Sequence, residues 1–275
     1  MHTIDNKWLT LGEFETLFTS GKKVELGAIP TEAVQKCRDF LDEKVKNADR
    51  LIYGVNTGFG SLCNTAISVD DLGTLQRNLV LSHACGAGEE VPAEIVKRML
   101  LLKVLGLGHG HSGVQLDTIN RLVFFYNENI LPVVYQQGSL GASGDLAPLA
   151  HMSLPLLGEG EVDYNGERIS GSDLLKKFNL EPIQLRSKEG LALLNGTQFM
   201  SAYATYAVAN GKKLASQFNI VAALSLDAYD GRLNPFQDNV NVVRNQVGQI
   251  AVAKFMRSML AGSEMIEREK EHVHK

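Results

Sequence analysis

Clusters of glycine interrupt this sequence at several places, and the segments between them have mainly helical periodicity. The clusters lie at 54–60, 86–88, 106–113 and 138–144. Glycine adopts backbone conformations that other residues avoid, so each cluster predicts a loop of unusual geometry rather than a continued helix. Such loops often carry functional groups on a rigid scaffold. The sequence therefore predicts helices joined by shaped loops.

Apolar residues between the loops recur at helical spacing. The helix over 69–85 has the clearest ends, because Ser68 and Asp71 form a capping pattern and Gly86 follows as a stop. The β signal is confined to 161–169, where Asn165-Gly166 predicts a two-residue hairpin turn. Similar helical periodicity extends over 32–45, 92–105, 117–127, 190–210 and 246–260. We expect a mainly α fold, with an N-terminal domain over 1–189 and the first part of a helical bundle over 190–275.

Charge and hydropathy exclude several classes of function. The net charge is -4 and there is no long basic run, so nothing favours binding to nucleic acid or to an anionic membrane surface. The longest apolar-rich segment, 99–107, contains Lys103 and is far shorter than the roughly 20 residues that span a bilayer. Residues 1–10 have no secretory-type apolar stretch, so we expect a cytoplasmic protein that acts on a small polar substrate.

The most informative segment reads Gly138-Ser-Leu-Gly-Ala-Ser-Gly-Asp-Leu-Ala-Pro-Leu-Ala-His151. Its small residues leave the backbone unshielded, so the Gly144 nitrogen could close onto the Ala142 carbonyl if the fold holds a strained turn. Loss of water there, followed by dehydration of Ser143, would leave an exocyclic methylene on a five-membered imidazolone. For an arbitrary string of this kind, the ordinary interpretation is a glycine-rich loop before a helix.

The full string resembles the signature of the histidine/phenylalanine ammonia-lyase family. Three further segments, Tyr53–Gly60, Glu189–Gln198 and Ser225–Phe236, resemble other family motifs in the same order, so the resemblance spans nearly the whole chain. It implies a fumarase/aspartase-like fold and a homotetramer whose active sites combine several subunits. It also implies that a methylidene-imidazolone forms autocatalytically from Ala142, Ser143 and Gly144, with no external cofactor and no metal.

The family assigns roles to several positions of this sequence. An electrophile is needed because the β-proton of an α-amino acid is too weakly acidic for an unaided side-chain base. The resemblance makes Tyr53 the base that takes this proton and Asn195 the contact for the electrophile and the substrate carboxylate. Asp145 would support ring formation. Taken alone, Tyr53 could be a packed tyrosine, and Asn195 and Asp145 could be helix caps.

The Ser82-His83 pair bears on the substrate. Histidine lyases of this family carry Ser-His at this point, so the resemblance implies elimination of ammonia from L-histidine to give urocanate, with His83 contacting the imidazole. A histidine near a helix end can instead be a core residue or a partner of the helix dipole. Two alternatives stay open: a tyrosine or phenylalanine ammonia-lyase or aminomutase, and an inactive helical oligomerisation fragment.

Other enzyme classes fail on spacing. There is no G-x-x-x-x-G-K-[ST] motif, and Gly141–Asp145 is not a G-x-S-x-G elbow. Family members are much longer than this chain, and their downstream half supplies a Tyr-Ser-x-Arg-Cys-type loop and a glutamate near the substrate. We therefore expect the 275-residue chain to be truncated and inactive on histidine by itself.

Overall fold

A computed structural model describes residues 1–47, 50–138 and 144–268, which are mainly helical with short strands. The helices are α1 (Leu11–Thr19), α2 (Ala28–Lys46), α3 (Leu72–His83), α4 (Ala93–Gly108), α5 (Leu116–Asn127), α6 (Leu146–Ser153), α7 (Gly171–Lys177), α8 (Glu189–Leu194), α9 (Gln198–Ala228), α10 (Asp238–Asn241), α11 (Val247–Met259) and α12 (Glu264–Glu267). The strands are β1 (His2–Ile4), β2 (Val24–Leu26), β3 (Ala87–Glu90), β4 (Leu131–Pro132), β5 (Tyr135–Gln137), β6 (Glu161–Tyr164) and β7 (Glu167–Ser170).

The structure confirms most of the predicted elements. Helix α3 follows a short 3-10 turn, and the Ser68 hydroxyl accepts the Asp71 amide at 3.2 Å, as the capping pattern predicts. The predicted hairpin is formed by β6 and β7, which pair antiparallel. Asn165 and Gly166 have φ values of 53° and 81°, the left-handed conformation that a two-residue turn of this kind requires.

One predicted helix is wrong. The segment 190–210 is not continuous, because α8 ends at Leu194 and α9 begins at Gln198. Asn195 is extended, with φ -86° and ψ 122°, and Gly196 has a φ of 156°. The Gly196 carbonyl accepts the Asp145 amide at 3.0 Å, so a tertiary contact overrides the local helical preference.

The chain forms two compact units, 1–206 and 207–275, whose division falls within α9. In the second unit a small apolar cluster forms around Ala223, Met256 and Leu260. In the first unit the core is built on α4, which packs against α2 and α5. The domain boundary expected at residue 190 stays a prediction.

Helix α4 is buried on nearly all sides. Its apolar side chains fill the core, and two of its cations, Arg98 and Lys103, are also buried, at 2% and 1% exposure. Arg98 is paired with Glu15 and Glu94 and lies over the Phe18 ring. Since a buried charge is costly unless it has partners, Lys103 also requires polar neighbours, and its Nζ donates to the Gln198 Oε1.

Helices α3, α6 and α8 pack against one another. Helix α3 ends at His83, α6 begins just after Gly144, and α8 is followed by Asn195. This three-helix packing therefore places motifs that are far apart in the sequence close together. Across the described ranges, the helices are too short or too polar to cross a membrane.

Candidate active site

Tyr53 and Asn195 line one open cavity of about 350 Å³. Its described wall is completed by residues from two segments: Ser112, and then Lys188, Leu191 and Ala192 at the start of α8. Two side chains that the family motifs single out, 142 positions apart in the numbering, thus face the same space. His83 lies outside this wall.

Tyr53 belongs to the glycine-rich loop ahead of α3 and is 56% exposed. Its ring lies edge-on to Phe59, with centroids 6.1 Å apart and an interplanar angle of 81°. Tyr53 is therefore packed against Phe59, as the alternative interpretation predicted, but only along part of its ring. More than half of the residue remains exposed.

Asn195 is the C-terminal cap of α8. Its Nδ2 donates to the Leu191 carbonyl at 3.0 Å, so the helix-cap interpretation and the cavity position both apply. The amide side chain still borders the cavity, where an amide can donate to or accept from a bound group.

The start of α8 is fixed by a buried carboxylate. Glu189 is fully buried and accepts bonds of 2.8–2.9 Å from the backbone and side chain of Gln115, the Thr118 hydroxyl and the Arg186 amide. Burial raises the pKa of Glu189, although these donors oppose the rise. Lys188 precedes it in a left-handed conformation, φ 70°, and its Nζ donates to the Ser112 carbonyl at 2.6 Å. This segment therefore brings a cation to the cavity wall.

Gly144 is the described member of the triplet predicted to form the ring, and Ala142 and Ser143 lie outside the described residues. Gly144 has a φ of 125° and forms a parallel bridge with Gly196. A Cβ at residue 144 would overlap the Gly196 carbonyl, so only glycine fits this close approach. The nitrogen that the family resemblance expects to close onto Ala142 therefore belongs to an unhindered residue in a backbone conformation that favours glycine. The described part of the triplet fits formation of the ring.

Asp145 is 6% exposed, and its carboxylate does not cap α6, at whose start it lies. Instead its Oδ2 accepts the Met200 amide at 2.9 Å, in the first turn of α9. A carboxylate at a helix N-terminus is favoured by the helix dipole and satisfies a free amide. Asp145 therefore does cap a helix, but that helix is α9 and not α6. Asp145 also joins the triplet to the segment that follows Asn195.

His83 is partly buried at the end of α3. Its Nδ1 lies 2.8 Å from the Leu79 carbonyl and 3.1 Å from the Ser82 hydroxyl. Because a carbonyl oxygen only accepts, Nδ1 must carry the hydrogen, and Nε2 is then the acceptor nitrogen of the neutral ring. This is the helix-end contact that the plainer interpretation expected, and it also fixes the tautomer.

Sequence reasoning missed several residues near the site. Lys188 immediately precedes a family motif, and Lys103 is a lysine inside an apolar run, so each had a signal that we did not use. Gln198 is the last residue of the Glu189–Gln198 motif, but the packing of its side chain on Gly196 is visible only in the structure. His151 ends the glycine-rich string, and its Nε2 accepts the Gly86 amide at 2.9 Å.

Comparisons with known proteins identify relatives in sequence and in structure. The chain is 41% identical over 268 residues to a histidine ammonia-lyase from Caldanaerobacter subterraneus subsp. tengcongensis, covering 98% of this chain and 53% of that protein. The structure matches a phenylalanine aminomutase from Pantoea agglomerans with a TM-score of 0.90 and 30% identity, covering 97% of this chain and 51% of that one. It matches a Trypanosoma cruzi histidine ammonia-lyase with a TM-score of 0.85 and 34% identity, covering 94% and 51%.

These matches confirm the mainly α, fumarase/aspartase-like fold. The chain spans about half the length of the curated relatives it matches. The sequence profile of the family described as aromatic amino acid lyase matches residues 9–275. A match over nearly the whole chain, added to the site geometry, leads to one assignment: this chain belongs to the aromatic amino acid lyase family.

Proposed function

We propose that this chain carries the electrophile-forming part of a histidine ammonia-lyase, which eliminates ammonia from L-histidine to give urocanate. The observation that carries the proposal is the convergence of three motifs. Tyr53 and Asn195 border one cavity, and Asn195 is followed directly by Gly196, which is bridged to Gly144. A proton acceptor, an amide contact and the ring-forming nitrogen thus belong to one site.

Formed from Ala142, Ser143 and Gly144, the methylidene-imidazolone supplies an electron-poor methylene that activates the substrate, and no external cofactor is needed. The protein's own groups do the rest. The exposed Tyr53 side chain accepts the β-proton at its oxygen when it is in the phenolate form, which converts it to the phenol. The Asn195 amide orients the substrate carboxylate, and the Lys188 ammonium adds a positive charge to the same wall. A cation there complements the negative charge of an amino acid carboxylate.

Histidine is the proposed substrate because of His83 and the relatives. With Nδ1 donating to the Leu79 carbonyl, the neutral His83 ring presents Nε2 as an acceptor. An imidazole N–H is a suitable donor to that nitrogen, whereas a phenyl ring has none. The curated relatives at 41–48% identity include several named as histidine ammonia-lyases.

We also propose a cytoplasmic homotetramer. Helix α9 carries exposed apolar side chains at helical spacing, Leu214, Phe218, Val221 and Leu224, each 60–70% exposed. An apolar stripe of this kind is unusual on a monomer and is typical of a helix that packs against other chains.

The test uses a chimera in which this chain replaces the corresponding half of the Caldanaerobacter relative. Ring formation removes two water molecules, so the intact mass shows it directly. Urocanate formation, followed by its conjugated chromophore, reports the reaction. A Ser143→Ala chimera is the matched control, because it cannot dehydrate at that position. We expect the unsubstituted chimera to lose both waters and to convert histidine, and the control to do neither.

The likeness to the phenylalanine aminomutase favours a second candidate, an aromatic amino acid lyase or aminomutase. A chimera that forms the ring but prefers phenylalanine or tyrosine over histidine would support that candidate and reject the histidine assignment. A chimera that assembles with neither ring nor activity would instead support the inactive oligomerisation fragment.

A further inference from the structure

Lys103 is a buried cation that the proposed reaction does not use. It lies in the middle of α4, among Leu100, Leu101 and Val104, and is 1% exposed. An ammonium in such surroundings is costly unless polar partners compensate for the lost water. The structure provides such partners on the side of α4 that faces the candidate active site.

The first partner is Gln198. The Lys103 Nζ donates to the Gln198 Oε1 over 3.4 Å, a long bond between a buried lysine and a partly buried glutamine. Gln198 is the first residue of α9, and its side chain packs on the backbone of Gly196 so closely that a Cβ at Gly196 would overlap its Oε1. Lys103 therefore orients the side chain that supports Gly196.

The second partner is Asp145, whose carboxylate attracts the Lys103 ammonium electrostatically. That carboxylate accepts the Met200 amide at 2.9 Å, and the Asp145 amide donates to the Gly196 carbonyl at 3.0 Å. Asp145 thus follows Gly144 directly and bonds to Gly196, the two residues of the bridge. Lys103 supplies the positive charge that the Asp145 carboxylate attracts.

We propose that Lys103 is a positioning residue: together with Asp145 and Gln198 it holds the backbone bridge between Gly144 and Gly196 in place. Gly144 supplies the nitrogen that closes the ring, and Gly196 follows Asn195. The lysine therefore fixes the end of the ring-forming triplet relative to the catalytic amide. Its meaning for catalysis rests on the proposed function, whereas the contact network itself does not.

Hydrogen exchange on the 275-residue chain tests the network directly. The amides of Asp145 and Met200 report the two bonds that the Lys103 cluster supports. Lys103→Met keeps an unbranched apolar side chain as far as Cε but removes the charged donor nitrogen. We expect both amides to exchange about tenfold faster or more, since each tenfold corresponds to loss of roughly one charge-assisted hydrogen bond. The measurement is made at about pH 6.5, because burial lowers the pKa of Lys103 to about 7 while Asp145 opposes that shift.

Two controls separate a local effect from a general loss of stability. Lys97→Met changes the same residue type on the same helix, where Nζ contacts Asn129 instead of the site. The amides of the β6–β7 hairpin report global unfolding in every variant. Faster exchange confined to Asp145 and Met200, and seen only in Lys103→Met, supports the proposal. Unchanged exchange at both amides overturns it.

A second variant decides the matter if Lys103→Met fails to fold or loosens every amide. Gln198→Ala removes the acceptor of the Lys103 Nζ while keeping the Lys103 side chain and its attraction to Asp145. It should also speed exchange at Asp145 and Met200 while leaving the hairpin unchanged. A folded Gln198→Ala chain with native exchange at both amides would exclude the network.

The mass of the chimera then links the network to ring formation. In Lys103→Met we expect a reduced fraction that has lost two waters, whereas Lys97→Met should match the unsubstituted protein. Complete ring formation in Lys103→Met would overturn the positioning role. If the unsubstituted chimera forms no ring, the proposed function fails, and hydrogen exchange still decides the role of Lys103.

Discussion

Lys103 should make the stability of the chain depend on pH in a characteristic direction. Burial lowers its pKa from 10.5 to about 7, and the attraction of Asp145 only partly opposes this. Between those values the unfolded chain holds a proton on this lysine that the folded chain has lost. Stability therefore rises with pH over that window, because raising the pH removes the proton that only the unfolded state binds.

The size of the effect follows from the pKa difference. Each unit corresponds to about 1.4 kcal/mol, so the full window is worth about 5 kcal/mol for this fully buried side chain. Between about pH 6.5 and about pH 9 the expected increase is about 2.5 kcal/mol. A change of this size is large beside the roughly 5 to 15 kcal/mol that stabilises a typical domain.

The assay is urea unfolding of the native chain and of Lys103→Met across this pH range. Other groups titrate there too, so the relevant quantity is the difference in the free energy of unfolding between the two proteins. The substitution also removes the bond to Gln198, which shifts that difference by a constant. Only its change with pH reports the lysine. Lys97→Met, at a half-buried lysine of the same helix, is the control.

We expect the free energy of unfolding of the native chain to increase relative to that of the Lys103→Met variant as the pH rises. A difference that stays constant from about pH 6.5 to about pH 9 would show that Lys103 does not titrate near neutral pH. A difference that falls would reverse the sign and require a lysine stabilised in its charged form. Either result would refute the view that burial dominates at this position.

Three further substitutions test the site, the first two in the chimera. Tyr53→Phe should lower kcat on histidine by about 10²-fold or more, since it removes the proton acceptor, whereas Tyr164→Phe on the hairpin should not; equal kcat values would refute the assignment. His83→Leu should raise KM for histidine more than for phenylalanine, and a uniform change would exclude the imidazole contact. Gly196→Ala should destabilise the 275-residue chain by about 1 to 3 kcal/mol in urea unfolding, because a Cβ overlaps Gln198; unchanged stability would show that the backbone can relax.

The sequence predicted those parts of the fold that depend on local chemistry. Helices α3, α4 and α5 follow from apolar periodicity, and the hairpin follows from Asn165-Gly166, since each signal lies within the element itself. The short strands β1, β2, β3 and β5 were missed, because strands of three or four residues carry too few positions for an alternating pattern. Their pairing depends on the fold around them.

The break after α8 shows where local signals fail. Residues 190–210 have helical periodicity throughout, yet Asn195 and Gly196 leave the helix to meet Asp145. Asp145 and Met200 are 55 positions apart, so no window of sequence contains both the break and its cause. The motifs predicted which residues matter, but not which of them touch. Likewise, the sequence showed Lys103 only as a charge that argues against a membrane span. Its partners, Gln198 and Asp145, are distant in sequence and are brought to it by the fold.

Helix α6 connects the end of the triplet proposed to form the ring with the segment that follows His83, the residue proposed to select the substrate. It begins one residue after Asp145, and His151 near its other end accepts the Gly86 amide at 2.9 Å. Gly86 lies three positions after His83, so a short, buried helix connects the two functional segments. The accepting Nε2 must be unprotonated, and burial lowers the pKa of His151, which favours that state. Because packed interiors transmit displacement, we expect a His151→Ala substitution, which removes the acceptor of the Gly86 amide, to disturb the segment that follows His83.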